Sequence, residues 1–329
     1  MRGLAVVPLR VGARRCAMMK FDSLWSGQVA MAALAQIAFA VALGSLLFGA
    51  WLAAEGARAT VSPAHGAWRR AQRSLTMAAL VFVLAELGWI VYEAATMGGT
   101  GLGEAFGALP AVLQDTHVGH AWSLLFGGAL ALLVLALLRP GGVAGKLLFW
   151  LAILVVEAGN ASIGHAADAG PWSPAVCVQL LHLLSTAVWG GIVLAGGMAV
   201  LPALGASIAR GALIRVAQRV SRVSMAAVLV VIATGIYNAI RGTGGDIAVL
   251  DASTWGRVLL LKLVLVALAL LLGGLNRFSA LPRLRRTAAT EDARTFVNVL
   301  YLEAVAMIGV FVAAAVLAAS VPGFASLAQ

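Results

Sequence analysis

Two histidines, His165 and His182, stand seventeen residues apart on either side of a short polar break in the otherwise apolar stretch 161–191, ASIGHAADAGPWSPAVCVQLLHLLSTAVWGG. Two more, His117 and His120, form an HxxH pair. On a helix, positions i and i+3 are about 60° apart, so both rings could turn to one ion. Glu86 and Glu93 are seven residues apart and return to nearly one helix face, with Met97 a turn further on, a stripe of carboxylate, carboxylate and thioether. Glu157 precedes His165 by eight residues, which places the two within about 80° around an axis. Cys16 and Cys177 are far apart and form no CxxC, so neither a disulfide framework nor a thiolate site is indicated, and any metal would be held by His, carboxylate or Met. Each imidazole taken singly could equally be a satisfied interfacial group. Lys262 and Glu303 are the remaining intramembrane charges; Lys262 is expected to neutralise one of the glutamates, since buried charges pair.

These residues sit in a chain that is 62% hydrophobic and only 11% charged, with apolar runs of about twenty residues throughout. That pattern excludes a soluble domain and predicts an all-α, polytopic membrane protein. Eight helices are expected at about 27–54, 75–97, 118–138, 147–167, 174–204, 221–240, 256–278 and 295–320. Arginine and lysine alternate sharply between connections. Arg58, Arg69, Arg70 and Arg73, then Arg139 and Lys146, then Arg210, Arg215, Arg219 and Arg222, then Arg277, Arg283, Arg285, Arg286 and Arg294 fill every second one. By the positive-inside rule these face the cytoplasm, which puts both termini and four of the five histidines at the outer face. The net charge of +10 thus reflects topology and no nucleic-acid surface. Residues 1–20 are read as a basic arm or an over-extended start, with Met18 and Met19 just before the first apolar run.

A repeat is visible: R-x-A-Q-R from Arg69 returns from Arg215, followed in each case by M-A-A, and Tyr92-Glu93-Ala94 aligns with Tyr237-Asn238-Ala239. THVGHAW from Thr116 resembles TWGRVL from Thr254, with His120 opposite Arg257. A duplicated four-helix unit is therefore expected, with halves at 21–167 and 168–329 in the same orientation. The small residues of WGGIVLAGGMA and LLGGLNR are assigned to helix packing. Trp25, Trp122, Trp150, Trp172 and Trp255 are assigned to an interfacial belt.

GHA at 164–166, LHLLSTAVWGG at 181–191, RVSRVSMAAVLVVIATGIYNA at 219–239 and TWGRVLLLKLVLVALALLLGGLNR at 254–277 resemble the CopD family of bacterial copper-resistance membrane proteins. The most specific parts are H-x6-W-G-G and G-R-x-L-L-x-K, over roughly 155–280, and DTHVGHAW extends the likeness into the first half. The resemblance implies a multi-pass inner-membrane protein that is not an enzyme, handles periplasmic copper, passes it toward the cytoplasm and works with a small periplasmic CopC-type partner. Imidazole suits Cu(I) and Cu(II), and thioether suits Cu(I). His165, His182, His120, His117 and Met97, with Glu93 beside them, are then read as an outer capture site. Two other readings stay open: a b-type haem held by paired histidines, with His120 and His182 as the axial pair, or a membrane scaffold for a copper protein. No GxxxxGK[ST] motif is present, so ATP use is not expected.

Overall fold

The computed structural model describes residues 23–164, 166–170, 172–205 and 208–326. The basic arm and His165 lie outside the described residues, so the expectations placed on them are not addressed by the fold.

In chain order the helices are α1 (Ser23–Ala54), α2 (His65–Gly98), α3 (Leu102–Asp115), α4 (His117–Leu138), α5 (Gly142–Ala161), α6 (Pro174–Leu194), α7 (Pro202–Gly205), α8 (Arg210–Thr243), α9 (Val249–Ala252), α10 (Thr254–Leu275), α11 (Leu281–Thr287), α12 (Thr290–Ala318) and α13 (Gly323–Ser326). Eight of these segments are long and apolar enough to cross a membrane, as expected, and no strand occurs among the described residues. The starts differ from expectation. α2 begins ten residues before position 75 and α8 eleven before 221, so Arg69, Arg73, Arg215 and Arg219 lie in helical extensions and not in loops. Apolarity marks the lipid-embedded length only, and these extensions are held by packing of small residues such as the buried Ala67, Ala71 and Ala217. The expected outer loop at 98–117 contains α3, which buries Ala105 and Val112.

α1 and α6 form the centre, with α2 and α12 against α1, α4 and α5 on the α2 side, α8 against α6, and α10 against α12. The central crossing depends on glycine. A Cβ on Gly44 would lie 1.9 Å from the Gly191 carbonyl oxygen, and one on Gly191 would lie 2.1 Å from that of Ala40. Backbones this close leave no room for any side chain, which is how small residues drive helix association where lipid is as apolar as leucine. Gly190, Gly196 and Gly197 likewise abut Phe311, Phe48 and Leu300, so WGGIVLAGGMA is a packing segment.

Two π turns, Ala195–Val200 and Asn276–Ala280, each end two residues before a proline, Pro202 and Pro282. Proline lacks an N–H and its ring presses on the carbonyl four residues earlier, which the wider turn relieves.

The likeness between the starts of α4 and α10 has a local structural counterpart. Thr116 Oγ1 accepts from the Gly119 N–H at 2.9 Å and donates to the Val112 carbonyl at 2.6 Å. Ser253 Oγ accepts from Gly256 N–H at 2.9 Å and donates to the Val249 carbonyl at 2.8 Å. In both, the glycine lies on the preceding short helix so closely that a Cβ would strike its backbone. Thr116 therefore corresponds to Ser253, one residue earlier than the sequence alignment on Thr254, and His120 does fall opposite Arg257.

Of the tryptophans read as a belt, Trp172 is exposed and Trp25 donates to the Ala319 carbonyl at 3.1 Å. Trp122 is no belt residue: it is 6% exposed and stacked on Phe126 at 4.6 Å.

Candidate functional site

The up-and-down order of the spans brings the C-terminal ends of α2 and α8 to the same end of the bundle as the N-terminal ends of α4, α6 and α10. His117, His120, His182, Glu93 and Met97 are therefore all at that end. Among the described residues no three His, Cys, Asp or Glu side chains stand together as a metal-holding group.

His182 is the most closely held. It lies two turns into α6, half-buried, and its Nδ1 is 2.9 Å from Thr234 Oγ1 on α8. The Thr234 hydroxyl already donates to the Val230 carbonyl at 2.6 Å. With that proton committed, Thr234 can only accept, so Nδ1 of His182 carries the hydrogen and donates. Nε2 is then the bare nitrogen, with a lone pair free for an ion or a proton. Gly235 gives the ring its room, since a Cβ there would be 3.4 Å from His182 Cε1. One turn outward on each helix, Asn238 Nδ2 donates to Gln179 Oε1 at 2.8 Å, a second polar tie between α6 and α8.

The other candidates are looser. His117 and His120 are exposed on the first turn of α4 and make no side-chain hydrogen bond among the described residues. Glu93, near the end of α2, accepts a hydrogen bond from Gln28 Nε2 on α1. Met97 is exposed one turn beyond it, just before the left-handed cap at Gly99.

The expected Lys262–glutamate pair is not formed. The ion pairs among the described residues join Glu55, at the end of α1, to Arg215 and to Arg219 at 3.0 Å, and these lie at the opposite end of the bundle. Lys262 sits on α10 within electrostatic reach of His182 and has no carboxylate partner among the described residues. Each membrane carboxyl instead faces a neutral donor. Glu303, 4% exposed on α12, accepts from Trp189 Nε1 of α6 at 3.2 Å. Glu86 faces the Trp122 indole, which does not close a hydrogen bond of good geometry. Glu157 has Asn160 as its neighbour, one turn along α5, and leaves Oε2 without a partner. The physical reason is economy of desolvation, because a carboxyl beside a neutral donor needs no second buried charge. Thr234, which positions His182, was missed in the sequence, where its only signal was a hydroxyl beside a glycine within the apolar run VVIATGIYNA.

Comparison with known proteins gives a consistent result. The model for copper resistance protein D matches residues 214–317, and that for the N-terminal domain of copper resistance protein D-like proteins matches residues 19–174. The H-x6-W-G-G segment lies between the two matched stretches, whereas G-R-x-L-L-x-K and the Thr116–Trp122 segment lie within them. Inner membrane protein YebZ of Escherichia coli is 28% identical over 254 residues, covering 74% of this chain and 80% of its own length. No solved structure matches. With residues 19–174 and 214–317 matched by the two copper resistance D models and eight spanning helices among the described residues, the chain belongs to the CopD family of copper-resistance membrane proteins.

Proposed function

We propose that this protein captures copper at the periplasmic end of the bundle and passes it into the membrane toward the cytoplasm, acting as a binding and transport protein and not as an enzyme. The observation that carries this reading is His182, whose Nδ1 stands 2.9 Å from a Thr234 hydroxyl that donates to the Val230 carbonyl, an arrangement that leaves Nε2 for an ion. Metal-bound histidines commonly have this arrangement, with a partner on one nitrogen that orients the other. We assign the remaining ligands to His165, His120, His117 and Met97, with Glu93 nearby, side chains that copper binding would have to draw toward His182. Imidazole and thioether together suit copper better than any hard cation. The arginine-rich end, where Glu55 meets Arg215 and Arg219, is the cytoplasmic one in this reading, so both termini are periplasmic and a CopC-type protein would deliver copper to the exposed His117 and His120. The name of the E. coli relative supports placement in the inner membrane.

The test is metal analysis and an absorbance spectrum of the purified protein. Copper near one per chain in the parent is expected, falling by most of its value in His182→Ala and in His165→Ala. The double variant should be little worse than either single one, because a site that has lost one ligand has little affinity left to lose. Unchanged copper content in both single variants, with helical circular dichroism intact, would refute the site. A strong Soret band without copper would assign the histidines to haem.

A further inference from the structure

At the arginine-rich end the bundle opens sideways. α8 packs on α6 and α10 packs on α12, but α8 and α10 barely touch each other. Between them is a cleft of about 280 Å³, floored by Trp189 and Leu300 and walled by Val228 and Leu229 on one side and Leu270 and Gly274 on the other. A Cβ on Gly274 would meet no atom within 4 Å, so this glycine, expected to serve packing, packs against nothing and faces open space. The carboxylate on the cleft, Glu303, is already engaged by Trp189.

The cleft runs into a second pocket of about 440 Å³, which it shares through Ser221, Arg277, Phe278 and Leu281. Arg222, Arg277 and Arg285 line this pocket, with no carboxylate among its lining residues. Arg277 is pinned by donating Nη1 to Ser221 Oγ at 2.7 Å and to the Ser221 carbonyl at 3.1 Å. Arg222 and Arg285 are exposed and have no hydrogen bond or ion pair among the described residues. The π turn Asn276–Ala280 carries Arg277 and the 75% exposed Phe278 at the junction of the two spaces. An apolar slot open to lipid thus ends in three guanidiniums that no carboxylate pairs among the described residues.

We propose that this cleft binds one phospholipid with an anionic headgroup, its phosphate among Arg222, Arg277 and Arg285 and an acyl chain between α8 and α10. Arginine is suited to phosphate by its planar fork of donors. Basic pockets between spanning helices on the cytoplasmic side recognise anionic lipid for the same reason. A zwitterionic headgroup would bring its own cation against three arginines, and free phosphate has no chain to fill the slot. A second copy of this chain would present the same arginines at the same depth. The proposal is independent of the copper reading.

Protein reconstituted in vesicles of equal phosphatidylglycerol and phosphatidylcholine, then released for native mass spectrometry, tests it. The parent is expected to retain phosphatidylglycerol over phosphatidylcholine by about tenfold or more, at roughly fivefold per free arginine. Arg222→Gln with Arg285→Gln should bring the two lipids near parity. Arg283→Gln with Arg286→Gln, which removes the same charge from exposed positions outside the pocket, should leave the preference intact. Gly274→Phe and the smaller Gly274→Leu should lower retention of both lipids by filling the slot. Equal retention of the two lipids by the parent, equal loss in both arginine pairs, or undiminished phosphatidylglycerol on folded Gly274→Leu protein would each overturn the proposal.

Discussion

Replacing Thr234 with valine tests the proposed copper site through a residue that touches no metal. Valine keeps the shape and removes the oxygen that now stands 2.9 Å from His182 Nδ1. Two effects follow. The Nδ1–H loses its partner in an apolar setting, and hydrogen bonds between membrane helices average about 0.6 kcal/mol with a maximum near 1.7, so the melting temperature should fall by only a few degrees. The ring also loses what fixes its tautomer and direction, and removing the group that orients a metal-binding histidine typically lowers metal affinity by about 10- to 100-fold, or roughly 1.4–2.8 kcal/mol. Competition of purified protein against a chromophoric cuprous chelator reads the affinity, and a detergent melting curve reads the stability. Thr234→Ser, which keeps the hydroxyl, should bind nearly as the parent does. In a His182→Ala background Thr234→Val should add almost nothing, because Thr234 acts only through His182. Equal weakening in the presence and absence of His182, or parental affinity in well-folded Thr234→Val, would refute the reasoning.

Three further outcomes are expected. In a background with Cys16 and Cys177 replaced by serine, an impermeant maleimide should label Ala169→Cys from the periplasmic side and Ala59→Cys only from the cytoplasmic side; labelling of both from one side would sink the eight-span orientation. Gly191→Ala, whose new methyl would meet the Ala40 carbonyl oxygen at 2.1 Å, should cost about 1–3 kcal/mol or block folding, whereas Gly274→Ala should be neutral in the same melting assay. Glu55→Gln removes the partner of Arg215 and Arg219, a pair partly open to solvent, and should lower stability by at most about 1 kcal/mol, a loss that shrinks as salt is raised.

The spans were legible because transfer of apolar side chains into lipid is a local, additive property of a run of residues. Their ends were less so: the extensions carrying Arg69 and Arg215 read as basic loops although they are helical, and α3, with Pro110 inside it, read as a plain connection. The likeness of the segments at Thr116 and Thr254 was visible, but their shared cap was not, since only the hydroxyl geometry shows that Ser253, and not Thr254, holds the glycine.

Sequence alone determined that this is a membrane protein of eight spans, that its arginines gather at alternate connections, and that its motifs are those of the copper resistance D family. Tertiary structure decided which groups meet: His182 with Thr234, Glu303 with Trp189, Lys262 with no carboxylate among the described residues, and α8 parted from α10 by a cleft. Apolarity is summed residue by residue along one chain, whereas a partner across a helix pair depends on rotation and separation. Those are set here by backbone contacts such as Gly44 on Gly191, which neither helix specifies until the other is in place.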